Sequence, residues 1–276
     1  MNPLSPSETR RLLESLGHRP KKQLGQNFLI DGNIVRKSLE LAKVQKGDVV
    51  LEIGPGLGTL THALLQAGAK VYAVEKDPTL GEYIGETEKN FAGQLTLTKG
   101  DALDYPLGEI PESVSSYKIV ANLPYAISTP WMAAVLERRL PSVMTLMLQK
   151  EAAQRYCAKH GSKQFGSISI FIQAAFNVLP GHDVSGSCFY PKPDVGSTLL
   201  HLKAKPTPYI FSSDARELIR EIFQQRRKQI SSLLRQSKRP LSEIWLNTLE
   251  KIGIENNARP EQVTLDQWIT LAKPSS

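Results

Sequence analysis

Val49-Val50-Leu51-Glu52-Ile53, followed by Gly54-Pro55-Gly56-Leu57-Gly58-Thr59-Leu60-Thr61, is the stretch on which the fold turns. The β-branched run reads as a strand and the glycines as a tight turn. Leu60-Thr61-His62-Ala63-Leu64-Leu65 reads as the opening of a helix. Glycine lets the backbone take positive φ and come close to a ligand. A second strand, Val71-Tyr72-Ala73-Val74, ends in Glu75. That is about twenty residues past the first glycine, where α/β nucleotide-binding folds hold a carboxylate against ribose hydroxyls. A third strand, Leu95-Thr96-Leu97-Thr98-Lys99, leads to Gly100-Asp101-Ala102, where Asp101 can accept from an adenine amino group. Gly54, Glu75 and Asp101 thus follow successive strands, as expected of ligand contacts at the carboxyl ends of a parallel sheet.

Spacing and charge narrow the ligand. Dinucleotide folds use Gly-x-Gly-x-x-Gly, so that a pyrophosphate rests on the helix N-terminus. Here the spacing is Gly54-x-Gly56-x-Gly58, and Glu52 lies two residues before the turn. A carboxylate there is poor company for a pyrophosphate and suits a cationic ligand such as S-adenosylmethionine. The competing reading is a glycine turn with two solvated acids.

Asn122-Leu123-Pro124-Tyr125 follows another apolar run, Tyr117-Lys118-Ile119-Val120-Ala121, that reads as a buried strand. The Asn side-chain oxygen and the next backbone carbonyl can each accept one N–H of an exocyclic amino group. Proline fixes the backbone, and the Tyr125 ring offers a surface on which a base can stack. Asn-x-Pro is also a common turn.

Together these motifs resemble those of the ribosomal RNA adenine N6-dimethyltransferases, most closely the bacterial small-subunit branch. The resemblance runs from about Lys22 to Ala272. Besides the motifs above it includes Gln26-Asn27-Phe28-Leu29, Met147-Leu148-Gln149-Lys150-Glu151 and Gly161-Ser162-Lys163-Gln164-Phe165-Gly166. It continues through Phe189-Tyr190-Pro191-Lys192-Pro193-Asp194-Val195-Gly196-Ser197 and Phe223-Gln224-Gln225-Arg226-Arg227-Lys228. The resemblance implies an α/β fold: a Rossmann-like class I methyltransferase domain with a small C-terminal helical domain. It implies S-adenosylmethionine as co-substrate, no metal, and transfer to N6 of two adjacent adenosines in a hairpin loop near the 3′ end of small-subunit rRNA. Asn27, Leu29, Gly54, Glu75, Asp101 and Asn122 are then cofactor contacts. Asn122, Leu123, Pro124, Tyr125 and Phe189 form the catalytic set, with Tyr125 and Phe189 sandwiching the target adenine. The implied partners are small-subunit rRNA and the immature small ribosomal subunit.

The rest of the chain fits this expectation. Strands alternate with helical stretches from Asp48 to about Lys205. Trp131-to-Arg139 reads as a helix, and Asp183-to-Cys188 and Ser197-to-Leu202 as late strands. Prolines break the pattern at Lys203-Ala204-Lys205-Pro206-Thr207-Pro208. The expected division is a methyltransferase domain over residues 1–205 and a small helical domain over 206–276. Residues 1–20 read as a polar, flexible lead-in. Arg19-Pro20-Lys21-Lys22 reads equally as a solvated arm and as an RNA contact or a lid. The first helix of the second domain is read as carrying Arg216, Arg220, Arg226, Arg227, Lys228 and Arg235. Within that single-signed cluster Arg226, Arg227 and Lys228 are the expected RNA contacts, with partly structural roles for Arg226 and Arg227 as the alternative.

The formal net charge of +7 favours a polyanionic partner. Two cysteines, Cys157 and Cys188, are too few for a disulfide scaffold and point to a reducing compartment. A signal-peptide layout and a membrane-length apolar run are both missing from the sequence. A cytoplasmic monomer is the resulting expectation. The rivals are an antibiotic-resistance methyltransferase of large-subunit RNA, a DNA adenine methyltransferase, and a binding protein acting as an assembly checkpoint.

Overall fold

The computed structural model describes residues 4–91 and 93–273. Its strands are β1 (Phe28–Leu29), β2 (Val49–Ile53), β3 (Lys70–Glu75), β4 (Leu95–Lys99), β5 (Lys118–Asn122), β6 (Val143–Gln149), β7 (Phe176–Val184), β8 (Phe189–Tyr190) and β9 (Ser197–Ala204). Seven of them form one sheet in the order β4-β3-β2-β5-β6-β9-β7, while β1 pairs with β8 in a two-stranded ribbon. β2 runs parallel to β3 and β5, β3 to β4, and β5 to β6; β9 is antiparallel to β6. Val50, Leu51, Ile53, Ile119, Val120 and Ala121 are all but fully buried. Such unbroken apolar runs mark parallel strands covered on both faces. The chain builds outward from β2 through β3 to β4, then returns to the other side of β2 with β5 and β6. The order therefore reverses between β2 and β5, and in open α/β sheets that switch point opens a crevice at the carboxyl ends of the strands.

The helices up to Ala153 are α1 (Pro6–Ser15), α2 (Gly32–Ala42), α3 (Thr59–Gln66), α4 (Pro78–Asn90), α5 (Ser128–Val135) and the start of α6 (Lys150–Tyr156). Their ends follow local chemistry. Asp31 caps α2, and Asp77 caps α4 ahead of Pro78, proline being tolerated in a first turn whose N–H groups have no intrahelical partner.

The lead-in differs from its sequence reading. Ser5-Pro6-Ser7-Glu8 is a capping box: Ser5 Oγ accepts from the Glu8 N–H at 3.3 Å and Glu8 Oε2 from the Ser5 N–H at 2.7 Å. The helix it starts, α1, buries Leu13 in a cluster with Phe28, Leu57 and Leu80. Residues 1–3 of the expected lead-in lie outside the described residues.

The chain divides into two compact units. The first runs to Ala153 and resumes over Val178–Ala204; the second holds Gln154–Asn177 and begins again at Lys205. The expected junction near 205 is where the helical part resumes, but residues 154–177 join it as well. The reason is apolar: α7 (Ser167–Ala175) buries Ile168, Ile170, Phe171 and Ile172. Phe171 meets Phe211, and Phe165 meets Phe223 edge-on. The remaining helices of this unit are α8 (Ser213–Gln224), α9 (Ile230–Gln236), α10 (Pro240–Thr248) and α11 (Leu265–Ala272), with Trp245 and Trp268 packed together at their centre. The late strand expected over 183–188 lies earlier, as β7, because the apolar 167–178 stretch ends its helix at Ala175 and turns extended at Phe176. Among the described residues no helix is long and apolar enough to cross a membrane.

Candidate active site

A cleft of about 140 Å³ opens at the carboxyl ends of β2, β3, β4 and β5. Asn27, Leu29, Gly54, Glu75, Asp101, Asn122, Leu123, Pro124 and Tyr125 all line it, together with Glu52 and Lys76. The strand ends that carry these residues are adjacent in the sheet, so the fold gathers what the sequence spreads over a hundred positions. Gly54 has φ +68°, and a Cβ there would come within 3.1 Å of the Pro124 ring. The turn after β2 and the Pro124 segment therefore close on each other only because residue 54 is glycine.

The acids are placed for different tasks. Glu75 is buried; its Oε2 accepts from the Gly56 N–H at 3.0 Å and its Oε1 from the Asp77 N–H at 2.8 Å. Burial raises its pKa, and those N–H groups act against the rise. Asp101 accepts from the Leu103 N–H at 2.9 Å and from Lys76 Nζ at 2.6 Å. These bonds, the backbone one foremost, hold its carboxyl below the usual range, so it is an ionised acceptor. Glu52 is 1% exposed and accepts from Thr61 Oγ1 at 2.7 Å. Burial pushes its pKa up to about 8, with the charge of Glu75 adding to the effect. A buried carboxyl of this kind is neutral beside an apolar ligand and ionises beside a cation.

Asn122 ends β5, and its Nδ2 donates to the Asn27 carbonyl at 2.8 Å. A carbonyl only accepts, so this bond fixes which way the amide points and keeps Oδ1 as its acceptor. Tyr125 Oη pairs with Ser197 Oγ at 2.7 Å, which pins the ring, and burial raises the phenol pKa.

Comparison with known proteins supplies the family. The model of the ribosomal RNA adenine dimethylases matches residues 17–275. The chain belongs to that family. It is 54% identical over 271 residues to the ribosomal RNA small subunit methyltransferase A of Opitutus terrae, covering 98% of each chain. It is 41% identical to the protein of the same name from Protochlamydia amoebophila, covering 96% of this chain and 95% of that one. A dimethyladenosine transferase from Plasmodium falciparum shares the fold, with a TM-score of 0.74 at 24% identity over 88% of this chain and 95% of that one. A methyltransferase of this family is an enzyme, and its methyl donor is S-adenosylmethionine.

Phe189 and the basic cluster sit in surroundings that their motifs do not specify. Phe189 does not reach the cleft. It is 3% exposed and packs with Leu29, Val35 and Val184. Phe189 faces Leu29 and Tyr190 faces Phe28 in the ribbon, and neighbours in a strand point to opposite sides. Leu29 and Phe189 therefore enter one apolar cluster, and Phe28 and Tyr190 the other. Arg226, Arg227 and Lys228 lie not on the first helix after residue 205, α8, but in the turn that follows it. Arg226 is occupied internally: it donates to the Lys163 carbonyl at 2.7 Å and the Ser162 carbonyl at 3.3 Å, and lies 3.8 Å from Glu261. Arg227 and Lys228 are exposed.

Sequence reasoning passed over Lys76, which holds Asp101, and Asp77, whose N–H braces Glu75. An Asp directly before Pro78 was the available signal for the second, because Asp-Pro marks a helix start. No spacing rule points to the first.

Proposed function

We propose that this dimethylase transfers methyl groups from S-adenosylmethionine to N6 of two adjacent adenosines in a hairpin loop near the 3′ end of small-subunit rRNA, twice at each. The observation that carries the reading is the position of Asn122-Leu123-Pro124-Tyr125. It lines the same cleft as Glu75 and Asp101, with the Asn122 amide turned by Asn27.

The residues present suit the donor. Glu75 accepts from ribose hydroxyls and Asp101 from the adenine amino group, while Gly54, Asn27 and Leu29 flank the methionine part. Glu52 matches a cationic ligand, since a positive charge beside it offsets the cost of ionising a buried carboxyl. S-adenosylmethionine supplies an electrophilic methyl carried on a sulfonium.

An adenine N6 is a weak nucleophile because its lone pair is delocalised into the ring. Acceptance of its two N–H groups by Asn122 Oδ1 and the Leu123 carbonyl favours rehybridisation and aims the lone pair. Pro124 holds that carbonyl in place and Tyr125 stacks on the base. Positioning and fixed dipoles account for the acceleration, and the surplus proton leaves to water. In the second round only one N–H remains, so one acceptor faces a methyl group. The target base must leave its stack to enter, which favours an unpaired loop. Arg227 and Lys228 contribute phosphate contacts. The substrate is the immature small subunit, met by a monomer in the cytoplasm.

The test uses small subunits from a strain lacking its own enzyme, incubated with this protein and labelled S-adenosylmethionine. N6,N6-dimethyladenosine in small-subunit RNA is the expected product. Label confined to large-subunit RNA would move the protein to the resistance branch. Tight subunit binding without label would make it a checkpoint protein.

A further inference from the structure

One wall of the cleft is the segment before α2, in which Gln23, Leu24, Gly25 and Gln26 precede Asn27. Its attachment converges on Asp77, whose side chain is 0% exposed. Asp77 Oδ1 caps α4, accepting from the Thr79 N–H at 3.0 Å and the Leu80 N–H at 3.3 Å. Oδ2 faces the other way, accepting from Lys21 Nζ at 2.8 Å and Gln26 Nε2 at 3.2 Å. Gln26 Oε1 turns back to accept from the Lys21 N–H at 2.8 Å and lies 3.0 Å from His18 Nε2. Helix capping needs only one oxygen, and Asn or Ser serves as well. The second oxygen, with its buried charge, is committed to the segment.

That segment reaches the catalytic motif directly. The Asn27 carbonyl orients Asn122. Gly25 sits at φ +63°, where a Cβ would come within 3.1 Å of the Tyr125 nitrogen. On its other side the Asp77 N–H braces Glu75.

We infer that Asp77 is a positioning residue that latches residues 18–27 over the S-adenosylmethionine site, so that one buried carboxylate sets both the grip on the cofactor and the pose of the Asn122 amide. The inference rests on the cofactor assignment above. Burial works to raise the Asp77 carboxyl, but the bonds from Lys21, Leu80 and Gln26 outweigh it and hold it below the usual range. The latch is therefore ionised at any pH at which the protein works.

Asp77→Asn isolates the latch. Its Oδ1 still caps α4, while its NH₂ faces two donors in place of Oδ2. The expected result is about a tenfold or greater rise in the Kd for S-adenosylhomocysteine, read by calorimetry, because Lys21 Nζ and Gln26 Nε2 lose the carboxylate oxygen that holds the segment. Hydrogen exchange over residues 18–29 rises, and exchange in β2, β3 and β5 does not. kcat at saturating cofactor falls less than kcat/KM. Lys21→Met cuts the same link without touching the cap, and Lys21→Arg restores it, so the pair decides the matter if Asp77→Asn does not fold. Exchange over 18–29 and cofactor Kd both within twofold of the original protein in folded variants would overturn the latch. If the original protein takes up no S-adenosylhomocysteine, the cofactor reading falls instead, while exchange over 18–29 still tests whether Asp77 holds the segment.

Discussion

Glu75 and Arg226 are both read from motifs in the sequence, and the fold treats them differently. Glu75 stands where a parallel sheet sends it: the strand ends, the side chain meets the cleft, and two N–H groups hold it there. Arg226 stands in a turn, where no ladder dictates direction, and its guanidinium is drawn to the Ser162 and Lys163 carbonyls. Its neighbours Arg227 and Lys228 remain in solvent. Position along a strand predicts which way a side chain faces. A charge cluster predicts only that charge is present.

The sharpest test of the cleft half is Asn122→Ala. It removes the acceptor proposed to align N6, along with the amide that binds the Asn27 carbonyl. Methyl transfer should fall about 10²–10³-fold, in line with the loss of a fixed polar group at a reacting centre. S-adenosylhomocysteine affinity should fall far less, because Glu75 and Asp101 are untouched. An equal loss of both would mean that Asn122 serves the cofactor alone.

Phe189 tests the same contrast from inside. Packed with Leu29 and Val184, it should cost about 3–5 kcal/mol when replaced by Ala. Tyr190→Ala, on the partly exposed side of the ribbon, should cost about half as much or less. Chemical denaturation of both variants measures the difference, and equal losses would contradict the register described here.

What could be read in advance divides along the same line. β2, β3 and β5 were legible from their apolar runs and β4 from leucines alternating with threonines, and Gly54, Glu75, Asp101 and Asn122 followed from where those strands stop. The Phe189 stacking role came from a motif whose spacing says nothing about which face of a two-residue strand the ring takes. Helix α1 carried a legible signal, Ser5 with Glu8 three residues on, hidden by the polar composition around it. The grouping of residues 154–177 with the helical unit was not legible, because a buried helix looks alike in either unit.

Glu52 allows the cleft to be probed without substrate. In the folded protein it titrates near 8, above its ordinary value of 4.5. Between those values the fold keeps a proton that the unfolded chain has released. Stability must therefore fall as pH rises through that window, and the loss is complete above about 8. Glu52→Gln, free of cofactor, should remove most of this slope. Relative to the original protein it should gain about 4–5 kcal/mol between pH 4 and pH 9. Parallel denaturation curves at every pH would mean that Glu52 keeps its charge in the fold.

The smallest effects belong to the basic turn, and there the comparison can fail outright. Arg227→Ala with Lys228→Ala removes two exposed charges and should leave stability within about 0.5 kcal/mol. Each lost phosphate contact lowers the salt slope of RNA binding by about 0.7–0.9, so the pair should flatten it by about 1.4–1.8. Arg226→Ala should do the reverse. It strips two carbonyls of their donor and removes the cation 3.8 Å from Glu261, which costs about 1–3 kcal/mol, while the salt slope barely moves. Titrating subunit binding against salt for both variants, beside their melting curves, separates the roles. If Arg226→Ala flattens the slope as much as the pair does, its internal bonds are given up when RNA arrives, and the turn is a single RNA-binding surface.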